Sequence, residues 1–465
     1  MLGVPCLQYI DDRHVGPLRV AALSTASQIN SWSNRELSEA AAYILLHLCV
    51  STGYFIALDK SILLPVRSLV LLGMTVDTTL QAFIIPDSKK ARFVELVESA
   101  LAKHAILITT LQKVKCISFS LAIPCARIYI RQMAHALSKA QTSAQNLVRV
   151  NNPLREELKW WIKIVQTASH FKWLEERHTT LQLYTDSSSH KWGAVFKPNS
   201  TKSLTFSDSW EDEWRKKSIN EKETEALARA LIAVGPQVTN TRLNVFSDSA
   251  VLVHAWNAGF PGSKSISLND LLKKIFSFCI EHNTQLNIAH VRSQQNLADR
   301  ASRELSMMNA KLSDQTWNKL EREFGPHTLD GMATYSNARL KDFISPFPQH
   351  NSAGVDFFHH HFSRDDNIYL YPPFSLTHPV VKHIVNNSLN ATVVIHKDNS
   401  YPAFWPMVAH LAVRILKLAN RGDSGVILAP STDGYKPCST PCELFAARFV
   451  APATSSGDEC DELKQ

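Results

Sequence analysis

Leu181-Gln182-Leu183-Tyr184-Thr185-Asp186 alternates apolar and polar residues and then breaks into Ser187-Ser188-Ser189, the pattern of a strand that runs into a loop on an acid. Outward from it, Gly193-Ala194-Val195-Phe196 and Ser203-Leu204-Thr205-Phe206 read as the next two strands of a meander. The periodicity turns helical over 219–234, with Glu223 in the first turn or two. Leu243-Asn244-Val245-Phe246-Ser247-Asp248 is another strand ending on an acid, followed by a helix-like stretch at 250–258. Leu286-Asn287-Ile288-Ala289-His290-Val291 is a fifth strand, and Asn296-Leu297-Ala298-Asp299-Arg300-Ala301 opens a last helix. Asp186, Glu223, Asp248 and Asp299 thus fall where one small sheet can bring them to one point.

A lone Asp after a strand is ordinarily a turn former or a helix cap. Four acids in this order of elements carry a stronger signal. Thr185-Asp186-Ser187, Glu223-Thr224-Glu225-Ala226, Phe246-Ser247-Asp248-Ser249 and Asn296-Leu297-Ala298-Asp299-Arg300-Ala301-Ser302-Arg303 resemble the four acidic motifs of the ribonuclease H family, in their usual order. The resemblance implies an α/β (α+β) domain over 181–306 with a mixed five-stranded sheet and helices. It also implies endonucleolytic cleavage of the RNA strand of RNA–DNA hybrids. Two Mg²⁺ ions, with Mn²⁺ as an alternative, would be held by Asp186, Glu223, Asp248 and Asp299 as both metal ligands and catalytic groups. Crowded carboxylates repel one another unless cations neutralise them, and Mg²⁺ is a hard ion that takes oxygen ligands. Two such ions about 4 Å apart activate water and stabilise a leaving oxygen.

Glu221 and Glu225 flank Glu223, and residues two apart on a helix diverge, so one of the three faces the site. The family spacing Ile219-Asn220-x-x-Glu223 selects Glu223. His290 lies on the fifth strand and reads as a packed or rim residue. Backbone near Ser187-Ser188-Ser189 is a source of contacts to the 2′-hydroxyls that mark RNA. Arg215-Lys216-Lys217 would meet phosphates or form a solvated face.

Towards the amino terminus, Leu7-Gln8-Tyr9-Ile10-Asp11-Asp12-Arg13-His14-Val15 has apolar arms around two adjacent acids and reads as a hairpin. It resembles the Tyr-x-Asp-Asp motif of reverse transcriptases, which would make Asp11 a metal-binding residue and Asp12 its accessory; an Asp-Asp turn is the alternative. Leu71-Leu72-Gly73-Met74-Thr75-Val76 looks like the primer-grip turn, centred on Leu72, Gly73 and Met74. Residues 1–86 are therefore expected to be a partial, incomplete polymerase palm and 87–180 a thumb and connection. The family's further metal-binding Asp and its fingers precede this hairpin. Polymerase activity is accordingly expected to be lost unless another chain completes it, while primer–template binding is retained. Ser118-Phe119-Ser120-Leu121-Ala122-Ile123-Pro124-Cys125-Ala126-Arg127 resembles the thumb of DIRS-type (tyrosine-recombinase) retrotransposons, which implies a recombinase or a second polymerase chain of the same element as a partner. Trp160 and Trp161 read as core packing rather than a base-stacking platform.

After the nuclease stretch, residues 307–431 look like a smaller α/β relic of a Dam-type adenine methyltransferase. Its Asp-x-x-Ala-x-x-x-Asn-Ala segment corresponds to Asp330 through Ala338, and its Asn/Asp-Pro-Pro-Tyr motif to Tyr371, Pro372, Pro373 and Phe374. Tyr371 removes the side-chain acceptor that polarises a target amine, while Phe374 keeps a stacking face. The motif is degenerate, a binding-only relic, or else a Pro-Pro turn without kinship. Ser, Thr, Pro, Gly and acids dominate from Thr432, so 432–465 is expected to be disordered.

At 465 residues the chain holds several domains, and with 45% hydrophobic and 20% charged residues it can build sizeable cores. The net charge of +7 suits a polyanionic partner, here a hybrid or primer–template. Eight scattered cysteines form no zinc pattern and read as reduced thiols of an intracellular protein, nuclear or cytoplasmic. No apolar run is long enough for a membrane span. An enzyme competes with one other class, a non-catalytic nucleic-acid-binding remnant of a retroelement.

Overall fold

A computed structural model describes residues 6–9, 12–15, 33–121, 123, 126–142, 146–168, 170–174, 181–198, 202–257, 266–397 and 404–451. The chain is of mixed α/β class and divides into two compact units, Met1–Ser99 with Ile162–Trp173 and Ala100–Trp161 with Leu174–Gln465. Among the described residues no helix is long and apolar enough to cross a membrane.

In the first unit, Cys6–Tyr9 pairs antiparallel with Asp12–Val15, Tyr9 opposite Asp12. Asp11 and the Asp12 side chain lie outside the described residues. A helix over Asn34–Ser51 starts on a reciprocal cap between Ser33 and Glu36, which satisfies two of the amides a helix start leaves without partners. Ser68–Leu71, Met74–Asp77, Ala82–Ile84 and His170–Lys172 form an antiparallel sheet in that order. The expected primer-grip turn is the tip of its first hairpin. Leu72 and Gly73 both take left-handed angles, φ 52° and 74°, as a two-residue hairpin loop demands. Lys89 Nζ donates to the Gly73 carbonyl at 3.1 Å.

The second unit holds the acidic stretch. Its sheet uses β1 (Gln182–Ser187), β2 (Lys191–Lys197), β3 (Leu204–Ser209), β4 (Arg242–Ser247) and β5 (Gln285–His290). The spatial order is β3-β2-β1-β4-β5, antiparallel through the meander and parallel from β1 to β4 to β5. The five expected strands are present in one mixed sheet. Helix α1 (Ile219–Val234) opens on a second reciprocal cap, Ser218 with Glu221, and is followed after β4 by α2 (Ala250–Asn257) and α3 (Ile266–Glu281). The core between sheet and helices contains Leu183, Ala194, Leu227, Leu231, Val245, Leu272 and Ile288. Short helix α4 (Asp299–Arg303) ends this part. Upstream, Trp161 is buried with its indole N–H donating to the Tyr129 carbonyl at 2.7 Å, and Trp160 stacks on the Tyr129 ring, so the pair serves packing.

The tail begins with α5 (Asp314–Phe324) and builds a second five-stranded sheet from β6 (Leu329–Asp330), β7 (Ile368–Leu370), β8 (Ala391–Lys397), β9 (Arg414–Ala419) and β10 (Glu443–Phe449). Its order is β6-β7-β8-β10-β9, parallel up to β8 and antiparallel around β10. The expectation of disorder from 432 onward is overturned as far as Ala451. Glu443–Phe449 is an interior strand with Leu444, Ala446, Ala447 and Phe449 buried. Polar residues from Thr432 to Ser439 belong to the hairpin of Ser424–Ser431 with Gly434–Ser439 that precedes it, and 452–465 lie outside the described residues. Composition averaged over the segment hid a short alternating strand.

Candidate active site

β1 and β4 run parallel, so the acids at their carboxyl ends come to the same end of the sheet. Asp186 is the penultimate residue of β1 and Asp248 comes directly after β4. Glu223 comes from the second turn of α1. One ligand oxygen from each of Asp186, Glu223 and Asp248 lies within 4.8 Å of the others. The three-way ambiguity in the helix resolves physically. Glu221 is used in the helix cap, Glu225 pairs with Arg229 at 3.1 Å, and Glu223 turns to the aspartates.

The three oxygens are crowded, and two of the three side chains are buried while Asp248 is half-buried. Asp186 is 1% exposed and Glu223 6%. Burial pushes the Glu223 carboxyl up to about 9, with the Asp186 and Asp248 charges adding to it and a Ser187 backbone N–H opposing it. Burial likewise pushes Asp186 up to about 6, eased by a hydrogen bond donated by the Ser302 hydroxyl and raised again by Asp248 and Asp299. Ser293 Oγ donates to Asp248 Oδ2 at 2.5 Å. Glu223 Oε2 is buried with no hydrogen-bond partner.

Asp299 departs from the expected quartet. It is absent from the group of mutually close ligand atoms, and its carboxylate pairs with Arg303 at 2.7 Å, one helical turn on. It still lies near enough to Asp186 to raise it. The cause is local: α4 places Asp299 and Arg303 at an i, i+4 spacing that favours their pairing.

What holds α4 over the sheet was not legible as function. Gly193 lies opposite Asp186 in the β1–β2 register. A Cβ there would sit 2.5 Å from the Ser302 backbone nitrogen and 2.7 Å from the Ala301 carbonyl carbon, so only glycine lets α4 approach this closely. Asn296 Nδ2 donates to the Thr185 carbonyl at 2.9 Å. Ser188 Oγ donates to the Ser302 carbonyl at 2.7 Å, and Lys191 Nζ to the Glu304 carbonyl at 2.8 Å. Asn296 and Ser302 fell inside a motif that was read for its acid alone. Ser293 and Gly193 gave no sequence signal of their own. His290 is exposed at the end of β5. Arg215 is mostly turned inward, its Nε donating to the Trp210 carbonyl at 2.8 Å.

In the tail, Asp330, Asn337 and Tyr371, expected to match methyltransferase motifs, are engaged by the chain's own groups. Asp330 is 2% exposed and accepts the Arg339 N–H at 2.9 Å, with burial raising its carboxyl to about 7. Asn337 Oδ1 accepts from the Thr334 N–H at 2.7 Å. Tyr371, directly after β7, pairs through its hydroxyl with His396 Nε2 at 3.0 Å.

No family model matches the chain, and no curated protein matches it. Solved structures similar to parts of it include LC11-RNase H1 in complex with an RNA/DNA hybrid, at 20% identity over 26% of this chain and 91% of that one, TM-score 0.23. RNase H1 from the halophilic archaeon Halobacterium salinarum is similar at 16% identity over 26% of this chain and 96% of that one, TM-score 0.23. The foamy viral protease-reverse transcriptase in complex with an RNA/DNA hybrid is similar at 13% identity over 66% of this chain, TM-score 0.29. The chain spans 44% of the length of that viral protein.

Proposed function

We propose that the acidic centre is that of a divalent-metal-dependent nuclease which cuts the RNA strand of RNA–DNA hybrids. The observation that carries this is the meeting of Asp186, Glu223 and Asp248 oxygens within 4.8 Å, from two strand ends and a helix. Such a group fits a hard cation. All three donors are carboxylate oxygens, burial and mutual repulsion raise the carboxyls of Asp186 and Glu223, and Glu223 Oε2 lacks any donor. Mg²⁺, or Mn²⁺ in its place, would be held by these three, with Asp299 as a further acid at the margin. When bound, such ions supply an activated water and charge stabilisation for the departing 3′-oxygen.

The chain's own residues do the positioning. Ser302 and Ser293 hydroxyls fix the rotamers of Asp186 and Asp248. Asn296 ties the end of β1 to the loop that begins α4. Glu223, which burial and the two aspartates keep protonated at neutral pH, would hold the cation as a carboxylate, so binding would release its proton. The Ser187–Ser189 backbone at the rim is the source of contacts that distinguish a 2′-hydroxyl.

The wider reading is a reverse transcriptase/ribonuclease H portion of a DIRS-type retroelement. It is supported by the chain order of the Asp11-Asp12 hairpin motif, the acidic motifs and the Tyr371-Pro372-Pro373-Phe374 segment. The tail acts as a binding relic rather than a methyltransferase, since Tyr371 is bound to His396 where the family has an amide or acid acceptor.

The test is cleavage of end-labelled hybrid beside DNA duplex and RNA duplex of the same sequence. Cutting confined to the RNA of the hybrid supports the proposal. Equal cutting of all three duplexes, or none of the hybrid, overturns it.

A further inference from the structure

In the second sheet β7 and β8 run parallel, and β10 runs antiparallel to β8. The residue after β7, the end of β8 and the residue before β10 therefore meet at one end of that sheet. Those positions hold Tyr371, His396 and Cys442. His396 bridges the other two: its Nε2 is 3.0 Å from the Tyr371 hydroxyl and its Nδ1 3.4 Å from Cys442 Sγ. We propose that Cys442 is a modification site, a thiol that hydrogen peroxide oxidises with His396 as its base and Tyr371 as the group that holds the base.

A reactive thiol needs a base in reach and a group that fixes the base, because the thiolate rather than the thiol attacks. With the imidazole protonated on Nε2, that N–H donates to the Tyr371 oxygen and Nδ1 accepts the Cys442 thiol proton. Burial lowers His396, so the ring rests neutral, the form that takes up a proton. Burial pushes the Tyr371 phenol up, so it stays an uncharged partner for the ring. Glu443, next in sequence to Cys442, is paired with both Lys417 and Lys397, which sets two cations against one anion beside the nascent thiolate. Cys438 makes the contrast. Its Sγ lies 3.6 Å from the Ile427 carbonyl, and burial raises its thiol.

Size and leaving group both select peroxide. Cys442 is half-buried, which suits an oxidant scarcely larger than water. Hydroxide departs poorly without a proton, and His396 can return one beside the sulfur. In the step, Nδ1 takes the thiol proton and Sγ attacks one peroxide oxygen. The S–O bond forms as the O–O bond breaks, and the proton passes from His396 to the departing hydroxide to give water. Sulfur is oxidised by two electrons to a sulfenic acid while the peroxide is reduced.

The test treats the full chain with limiting hydrogen peroxide in the presence of dimedone, which traps sulfenic acid, and reads the labelling of each cysteine by mass spectrometry. Cys442 is expected to be labelled about tenfold or more faster than Cys116, although Cys116 is the more exposed, and faster than Cys438. His396→Asn and Tyr371→Phe should each slow Cys442 several-fold and leave Cys116 unchanged, whereas loosened packing would speed labelling. Buried Cys279 stays unlabelled while the chain is folded, so a variant that unfolds is recognised and the other variant decides. Cys442 labelled no faster than Cys116, or labelled at an unchanged rate in a variant that keeps Cys279 protected, overturns the proposal.

Discussion

Replacing Glu223 with Gln should make the metal-free protein more stable while it destroys cleavage. In the fold the Glu223 carboxyl is pushed from 4.5 up to about 9, first by burial and then by Asp186 and Asp248. An acid raised on folding binds its proton more tightly in the folded chain, so stability falls as pH rises from about 4.5 and stops falling above about 9. At pH 7.5 the difference is about 3 units, or about 4 kcal/mol against the folded state. Glutamine has the shape of the protonated acid and no charge to desolvate, so it escapes that penalty. Urea denaturation in chelator at pH 7.5 should place Glu223→Gln above wild type by up to about 4 kcal/mol, on the order of 10 °C in Tm. The gap should shrink towards pH 5 and widen towards pH 9. In Mg²⁺ the same variant should lose more activity than the roughly 10–100-fold that follows loss of a group supporting a metal ligand. A variant less stable than wild type at pH 7.5 without divalent ions would refute the electrostatic reading of the site.

Other outcomes follow from the same geometry. Gly193→Ala should cost about 1–3 kcal/mol and lower cleavage sharply without touching an acid, because its Cβ would meet backbone of Ala301 and Ser302 that cannot step aside; paired urea and cleavage measurements check it. Glu157 is 7% exposed, accepts the N–H groups of Gln132 and Met133, and is raised by burial from 4.5 to about 7. Wild type should therefore lose up to about 3 kcal/mol relative to Glu157→Gln between pH 4.5 and 7, read as a difference in the slope of stability against pH.

The sheet β3-β2-β1-β4-β5 was legible because β1 and β4 alternate and carry acids at their ends, and because each fold element kept its local signature. Asp186 and Asp248 stand at the ends of strands whose Leu183, Leu243 and Val245 lie in the core. Glu223 could be selected from three candidates by spacing, and the structure supplies the reason: Glu221 caps the helix and Glu225 pairs with Arg229. Helix α3 escaped the sequence reading, although it closes one side of the core through Leu272 and Ile275. Asp299 shows the limit of motif reading: the motif holds Asp299 and Arg303 at an i, i+4 spacing, and their pairing competes with the cluster for the carboxylate. The interior strand Glu443–Phe449 was missed because composition was averaged across its polar hairpin. Gly193 and Ser293 act through close approach and a single hydroxyl, features that exist only once the chain is folded.

Cleavage of a labelled RNA–DNA hybrid across a Mg²⁺ titration, with wild type beside Asp186→Asn and Asp248→Asn, tests the central claim most directly. A shared divalent-ion centre predicts Mg²⁺-dependent cutting by wild type and its loss in both variants, each still folded by urea denaturation. Cutting that persists in either variant at the wild-type rate would contradict it.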